Sequence, residues 1–243
     1  MSRLIAVSSG KGGVGKSNVS VHLADALSAK GNKVLLIDLD AGMRCLDLLL
    51  GVSGSLVFDL GDVLSGGHDI NEALLKSEKH GVYLLAAPLS KGLDPDKLSS
   101  FLKMLPEEFD FVILDFPAGG VDELYKALPK YTEVLVVCNA DAVSIRDAAL
   151  IGSDLRSLDL LSVRLVLNRA DFEHIKSGVN ANIDEVIDRS SIRLIAVIPQ
   201  SLDIYYASCT GECLNKKSRA AKAFDRLSKR LLGYDIPLKI KKI

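Results

Sequence analysis

Eight consecutive residues carry the most specific chemistry in the chain: Gly10, Lys11, Gly12, Gly13, Val14, Gly15, Lys16 and Ser17. They fit G-x-x-x-x-G-K-[ST], a phosphate-binding pattern that requires a strand before it and a helix after it. Glycines allow backbone angles that a Cβ forbids, so successive N–H groups can turn inward onto phosphate oxygens. The helix that follows adds its unpaired N-terminal donors and the positive end of its dipole. In such a loop Lys16 reaches the outer phosphates and the Ser17 hydroxyl holds Mg²⁺. Asp115 follows the apolar run at 111–114. Alone it fits a turn or a helix cap. Downstream of a phosphate loop it reads as a carboxylate that holds the Mg²⁺ shell through water, because Mg²⁺ gives up its waters reluctantly. Asp38 and Asp40 lie beyond another apolar run. One or both could orient an attacking water or join the metal shell.

Strands and helices must alternate to place these groups. Continuous apolar runs at 4–7, 34–37, 82–86, 111–114, 134–137, 164–167 and 194–198 predict short strands buried on both faces. Helical spacing over 16–30, 95–105, 121–128 and 144–157 predicts the connections. The pattern predicts an α/β fold of three layers, a mostly parallel sheet with helices on both faces. With no repeat, low-complexity tract or linker, a single domain over 1–243 is expected. In such sheets ligands sit beyond the carboxyl ends of the strands. That rule brings the Gly-rich loop, Asp38, Asp40, Asp115, Asn168 and the Pro199-Gln200 turn to one edge.

Composition narrows the class. The chain has 243 residues, 48% hydrophobic and 25% charged, which describes a folded globular protein rather than a disordered one. No apolar run is long enough for a membrane span, and the N-terminus leads straight into a strand rather than a signal peptide. Four scattered cysteines do not form a disulfide framework, so a reducing cytoplasm is expected. The net charge of −1 is uneven: residues 214–243 hold ten Lys/Arg against two Asp, a local +8, leaving −9 on residues 1–213. Such a basic end can meet anionic lipid or another acidic partner, or form a solvated helix face. No nucleic-acid partner is expected.

The run from Ser9 to Ser17, with its additional Lys11, resembles the deviant Walker A loop of the MinD/ParA ATPases. The likeness extends through 37–51, 57–66, 114–119 and 143–148 and reaches 230–233, nearly the whole chain. It is nearer the MinD branch than the ParA branch. The resemblance implies ATP and Mg²⁺ as cofactors and an ATP-dependent homodimer that sandwiches two nucleotides. It implies that Lys11 crosses the interface to the partner's phosphates, as an arginine finger does. Catalytic roles then fall to Lys11, Lys16 and Asp40, with Asp40 orienting water and Asp38 coupling nucleotide to the dimer interface. Pro117, Ala118 and Gly119 match the second switch. Ser144, Arg146 and Asp147 match a surface for a regulatory protein partner. The implied process is spatial regulation of cell division or a related positioning task.

Base recognition is less specific. Asn168 resembles the family's adenine-facing asparagine, beside Arg169, with Pro199, Gln200 and Ser201 as a second wall. Yet Asn168-Arg169-Ala170-Asp171 also fits the N-K-x-D motif that reads guanine, with Asp171 as acceptor. ATP is the preferred reading. Asn18 stands where the family carries threonine and bears on the phosphate contacts, and Phe116 replaces a small polar residue in the switch. The direction of the Asn18 effect is left open, Phe116 bears on the switch's hydrogen bonding, and slow turnover is expected. Residues 218–232 form an amphipathic helix pattern suited to the core, and 237–243 make poor material for an interfacial anchor helix. Membrane contact therefore stays open as a weak, basic-tail interaction. Cys209 and Cys213 offer paired thiols that could hold metal across a dimer. Two alternatives accompany the ATPase reading: an accessory for metal-centre maturation, and a nucleotide-gated binding protein with negligible hydrolysis.

Overall fold

The computed structural model describes residues 2–90, 92–120 and 123–238. The apolar runs become strands, and one further short strand joins them. In chain order they are β1 (Arg3–Ser8), β2 (Val34–Asp38), β3 (Leu75–Ser77), β4 (Val82–Leu85), β5 (Phe111–Asp115), β6 (Glu133–Cys138), β7 (Ser162–Ala170) and β8 (Leu194–Pro199). They form one sheet in the order β3-β4-β2-β5-β1-β6-β7-β8. All pairings are parallel except β3 with β4. β3 escapes a sequence reading because three residues, one of them exposed Lys76, carry no periodicity.

The connecting helices are α1 (Lys16–Ser28), α2 (Leu46–Leu49), α3 (Leu60–Leu64), α4 (Ile70–Ala73), α5 (Pro95–Lys103) and α6 (Glu123–Lys126). They continue as α7 (Ala142–Ser157), α8 (Phe172–Lys176), α9 (Ile183–Ser190), α10 (Leu202–Thr210) and α11 (Arg219–Leu231). Residues 121 and 122, the start of the helix expected over 121–128, lie outside the described residues.

Strand alternation divides the core between two faces. Leu4 and Ala6 of β1 and Val112 and Leu114 of β5 pack with α5, α7 and α9. Ile5 and Val7, with Phe111 and Ile113, pack instead with Val19, Leu23 and Leu27 of α1 and Phe224, Leu227 and Leu231 of α11. Helix α11 is thus a core helix, as its amphipathic pattern predicts. The basic residues Lys239, Lys241 and Lys242 lie outside the described residues. No helix among the described residues is long and apolar enough to cross a membrane.

Register sets up the site. Val7 of β1 and Asp38 of β2 both pair with Asp115 of β5. Three strand ends therefore finish level, directly beneath the loop that leads from β1 into α1.

Candidate functional site

The loop between β1 and α1 depends on its glycines at two points. Gly13 (φ 78°) and Gly15 (φ 91°) occupy the left-handed region, where a side chain would be strained. Space is limiting as well. A Cβ on Gly15 would collide with the Asn168 amide, and one on Gly10 would lie 2.8 Å from the Asp147 carbonyl oxygen. Gly15 is also the N-cap of α1 and supplies no side-chain hydrogen bond. The first N–H groups of the helix are left for an anion. Gly12 and Gly13 are exposed, and Val14 is buried.

Below the loop, side chains converge on Asp115, which is fully buried. Ser17 Oγ donates to its Oδ2 (2.6 Å) and Ser20 Oγ to its Oδ1 (2.8 Å). Lys16 is buried with Nζ 4.0 Å from Asp115 Oδ1. Burial pushes the Asp115 carboxyl up, against the charge of Lys16 and the two serine hydroxyls. Asp38 is fully buried beside it. Its oxygens accept from the backbone N–H groups of Asp40 (2.9 Å), Cys45 (3.1 Å) and Leu46 (3.2 Å), which fixes the turn after β2. Burial, then the neighbouring Asp115, pushes the Asp38 carboxyl up to about 7. Asp40 is half-buried and closes the group; its charge also raises Asp115. Two buried carboxylates, a hydroxyl and a third carboxylate form an all-oxygen set short of positive charge, and such a set fits Mg²⁺.

Lys11 behaves differently from Lys16. Its side chain is 45% exposed, with Nζ 3.8 Å from Asp141 Oδ1. Asp141 is the N-cap of α7 and accepts from Ser144 N. Ser144 itself is buried and its Oγ accepts from Asn139 N (2.9 Å), so this residue braces the helix start rather than facing a partner. Arg146 is exposed and Asp147 half-buried. The segment after β5 is sewn to the loop: Phe116 N donates to Val7 O (3.1 Å) and Gly119 N to Ser9 O (3.0 Å). Phe116 is fully buried and stacks on Tyr125, whose hydroxyl lies 2.7 Å from Ser8 Oγ. An aromatic packing anchor occupies the position where a small polar residue was expected. Pro117 and Ala118 lie beyond it toward solvent.

At the other end of the edge, Asn168 lies inside β7, beyond the run at 164–167. Its Nδ2 donates to Val14 O (2.8 Å), while its Oδ1 is buried and has no partner among the described residues. Arg169 is exposed with φ 51°, where the register of β7 and β8 shifts. Gln200 is exposed and its N–H donates to Ala170 O (3.0 Å). Ser201 caps α10. Asn18 Oδ1 accepts from Ser208 Oγ of α10 (2.6 Å), so this side chain ties α1 to α10. Asp171 is the N-cap of α8 and accepts from Glu173 N and His174 N. Both cap bonds fall on Oδ1, so a guanine would have to be read by Oδ2, which lies 3.4 Å from His174 Nδ1.

The chain matches the CobQ/CobB/MinD/ParA nucleotide binding domain family over residues 5–214. It belongs to that family. It is 33% identical over 249 aligned residues to the septum site-determining protein MinD of Bacillus subtilis, covering 99% of this chain and 92% of that protein. Its fold is similar to MinD in the MinC:MinD cell division protein complex of Aquifex aeolicus, with TM-score 0.90, 32% identity and 98% of each chain covered. It is also similar to MinD of Pyrococcus horikoshii solved with Mg-ADP, with TM-score 0.84 and 29% identity over 97% of this chain and 100% of that one. The fold is thus the P-loop architecture of the MinD/ParA family.

Some participants in this MinD/ParA site carried no motif. Ser20 stands three residues after Ser17, on the same helix face, and that spacing was the available signal. Cys45 has no such mark. Its Sγ lies 3.3 Å from Ser17 Oγ, and burial, with a smaller contribution from the two aspartates, pushes the thiol up to about 11. Ser8 and Tyr125 meet only because the sheet brings them together.

Proposed function

We propose that this chain is an ATP-hydrolysing dimerisation switch of the MinD branch, acting in septum placement and folded as a single domain over 1–243. One observation carries the reading. A single loop holds two lysines in contrasting surroundings, Lys16 buried beside Asp115 and Lys11 half-exposed beside Asp141. The buried lysine suits the chain's own nucleotide. The half-exposed one suits the nucleotide of a second copy, where added positive charge stabilises the charge that develops during phosphoryl transfer.

The remaining roles follow from position. Backbone N–H groups of 10–16 cradle phosphates, and Ser17 with Asp115 holds the Mg²⁺ shell, which neutralises phosphate charge when bound. Asp38 positions the turn after β2, and Asp40 orients the attacking water. Asn168 Oδ1, buried and without a partner among the described residues, suits the exocyclic amine of adenine, with the Pro199-Gln200 turn as the opposite wall. Phe116 fixes the root of the 117–119 switch, which keeps turnover slow until a partner acts. Arg146 and exposed Val143 on α7 offer a face for a regulatory protein. Contact with the inner membrane surface depends on the basic end of the chain.

Light scattering and phosphate release with ATP and Mg²⁺ test the switch. The wild type is expected to dimerise with ATP and to hydrolyse it. Lys11→Ala should bind ATP yet stay monomeric, and Asp40→Ala should dimerise while losing about a hundredfold in turnover. A Lys11→Ala protein that dimerises fully with ATP would overturn the cross-interface role.

A further inference from the structure

A second cluster of chemistry lies one and a half turns farther along α1. Asp25 meets His80, in the turn before β4, and Cys213, just after α10. His80 Nδ1 is 2.7 Å from Asp25 Oδ1 and 3.5 Å from Cys213 Sγ. One donor atom from each of the three lies within 4.8 Å of the others. His80 has its side chain wholly buried, Asp25 is partly buried and Cys213 is exposed.

We propose that Asp25, His80 and Cys213 form a binding site for a transition-metal dication of zinc type. A tetrahedral zinc with Zn–N about 2.0 Å and Zn–S about 2.3 Å sets its N···S edge at about 3.5 Å. The observed separation is 3.5 Å. The same geometry asks for an N···O edge of about 3.3 Å, so the Asp25 oxygen has only to draw back about half an ångström from its hydrogen-bonded position.

The surrounding contacts aim the donors. His80 Nε2 faces Gly211 O at 3.3 Å and donates its proton there, while Nδ1 donates to Asp25 in the metal-free site and offers its lone pair between Asp25 and Cys213 once that proton is displaced. A ligating imidazole is commonly oriented by such a carbonyl. His22 Nδ1 lies 3.3 Å from Asp25 Oδ2 and holds the other carboxylate oxygen. His22 Nε2 has no partner among the described residues, which places the imidazole proton on Nδ1. A thiolate, an imidazole and one carboxylate favour zinc or cobalt over Mg²⁺, so the site is chemically distinct from the one around Asp115. Exposure of Cys213 leaves the fourth position to water. Binding displaces the protons that Cys213 and Nδ1 carry and releases them to solvent.

Cys209 is not part of this group. The cysteine pair that the sequence offers is therefore divided: Cys213 joins a histidine and a carboxylate within its own chain, and no second copy is needed. The metal would pin residues 211–213 against α1. Gly211 packs so closely on Gly51 that a Cβ there would lie 2.7 Å from Gly51 Cα, so the segment has little freedom to move as a unit.

The test is metal titration of the reduced full-length protein with excess Mg²⁺ present. Zinc is measured by competition with a chromophoric chelator, and Co²⁺ by absorption. The expected result is one zinc per chain, a thiolate-to-cobalt charge-transfer band and the visible bands of tetrahedral cobalt. Cys213→Ser should remove the charge-transfer band and weaken zinc at least tenfold to about a hundredfold, the range for losing even an outer partner. Asp25→Asn should weaken zinc while keeping the band, and Cys209→Ser should change neither. No stoichiometric binding would overturn the proposal. So would a charge-transfer band that survives Cys213→Ser or vanishes with Cys209→Ser.

Discussion

Helix α1 carries two clusters of opposite construction. At its first turn, Lys16, Ser17 and Ser20 surround Asp115, and the glycine loop supplies backbone N–H groups above them. Further along, Asp25 meets His80 and Cys213, side chains from three segments far apart in sequence. The cradle of the first cluster is dictated by a contiguous run, because it requires particular backbone angles in consecutive residues, while Asp115 reaches it through the register of β5 with β1. The second has no spacing to read, because only the fold brings its members together. The first is all oxygen and short of cations; the second mixes sulfur, nitrogen and oxygen. Two sites on one rigid helix can therefore bind different metals without competing.

Removing Lys16 separates them most sharply. Lys16→Ala leaves buried Asp115 without its neighbouring cation and takes the lysine from the nucleotide phosphates. A charge-assisted contact of about 2–3 kcal/mol corresponds to roughly a 30- to 150-fold loss of ATP affinity, read by titration with a fluorescent nucleotide. Zinc binding should be unchanged. If zinc affinity falls together with ATP affinity, the two clusters are one cooperative unit.

The base end of the nucleotide site is expected to respond less. Asn168→Ala deprives Val14 O of its donor and removes the buried Oδ1 that we propose accepts from adenine. A neutral hydrogen bond contributes about 1 kcal/mol, so ATP affinity should drop about fivefold to tenfold and the preference for ATP over GTP should narrow. Asp171→Ala, which removes only a helix cap, should leave that preference alone. Competition between ATP and GTP decides the matter. Preferential GTP binding by the wild type, lost in Asp171→Ala, would reverse the assignment.

The contrast also explains what could be read in advance. Seven of the eight strands showed as apolar runs because a strand buried on both faces has nowhere to place a polar residue. The edge strand β3, half exposed and three residues long, left no such trace. Gly13, Gly15, Lys16 and Ser17 were legible because their chemistry is local, and Asp115 because it closes a buried apolar strand. Asn18 and Ser144 stood out by their places in the pattern, but the pattern gave no sign of their hydrogen bonds to Ser208 and Asn139, contacts that exist only after folding. His80 was silent for the same reason. Its partner Asp25 is separated from it by β2, α2, α3, α4 and β3.

The far end of α1 supplies the control, and with it the smallest effect. Lys30, just past the helix, lies 2.6 Å from Asp225 of α11, and Lys229 reaches the same carboxylate at 2.9 Å. Burial alone would raise the Asp225 carboxyl, but the hydrogen bonds and charges of the two lysines outweigh it and hold it below 3.8. A carboxyl lowered on folding stabilises above its unfolded value, and that stability is lost as pH falls through the lowered one. The group is 43% exposed, so solvent screening keeps its contribution within about 1 kcal/mol. Asp225→Asn should therefore lower the Tm by a few degrees at pH 7, less at high salt. Variant and wild type should converge once the pH is low enough to protonate the wild-type carboxylate. Both ATP and zinc affinities should stay within twofold of the wild type, because the clamp touches neither cluster. A loss of zinc affinity larger than the loss of stability would mean that α1 shifts along its axis when α11 loosens, and that the Asp25 cluster senses it before the phosphate loop does.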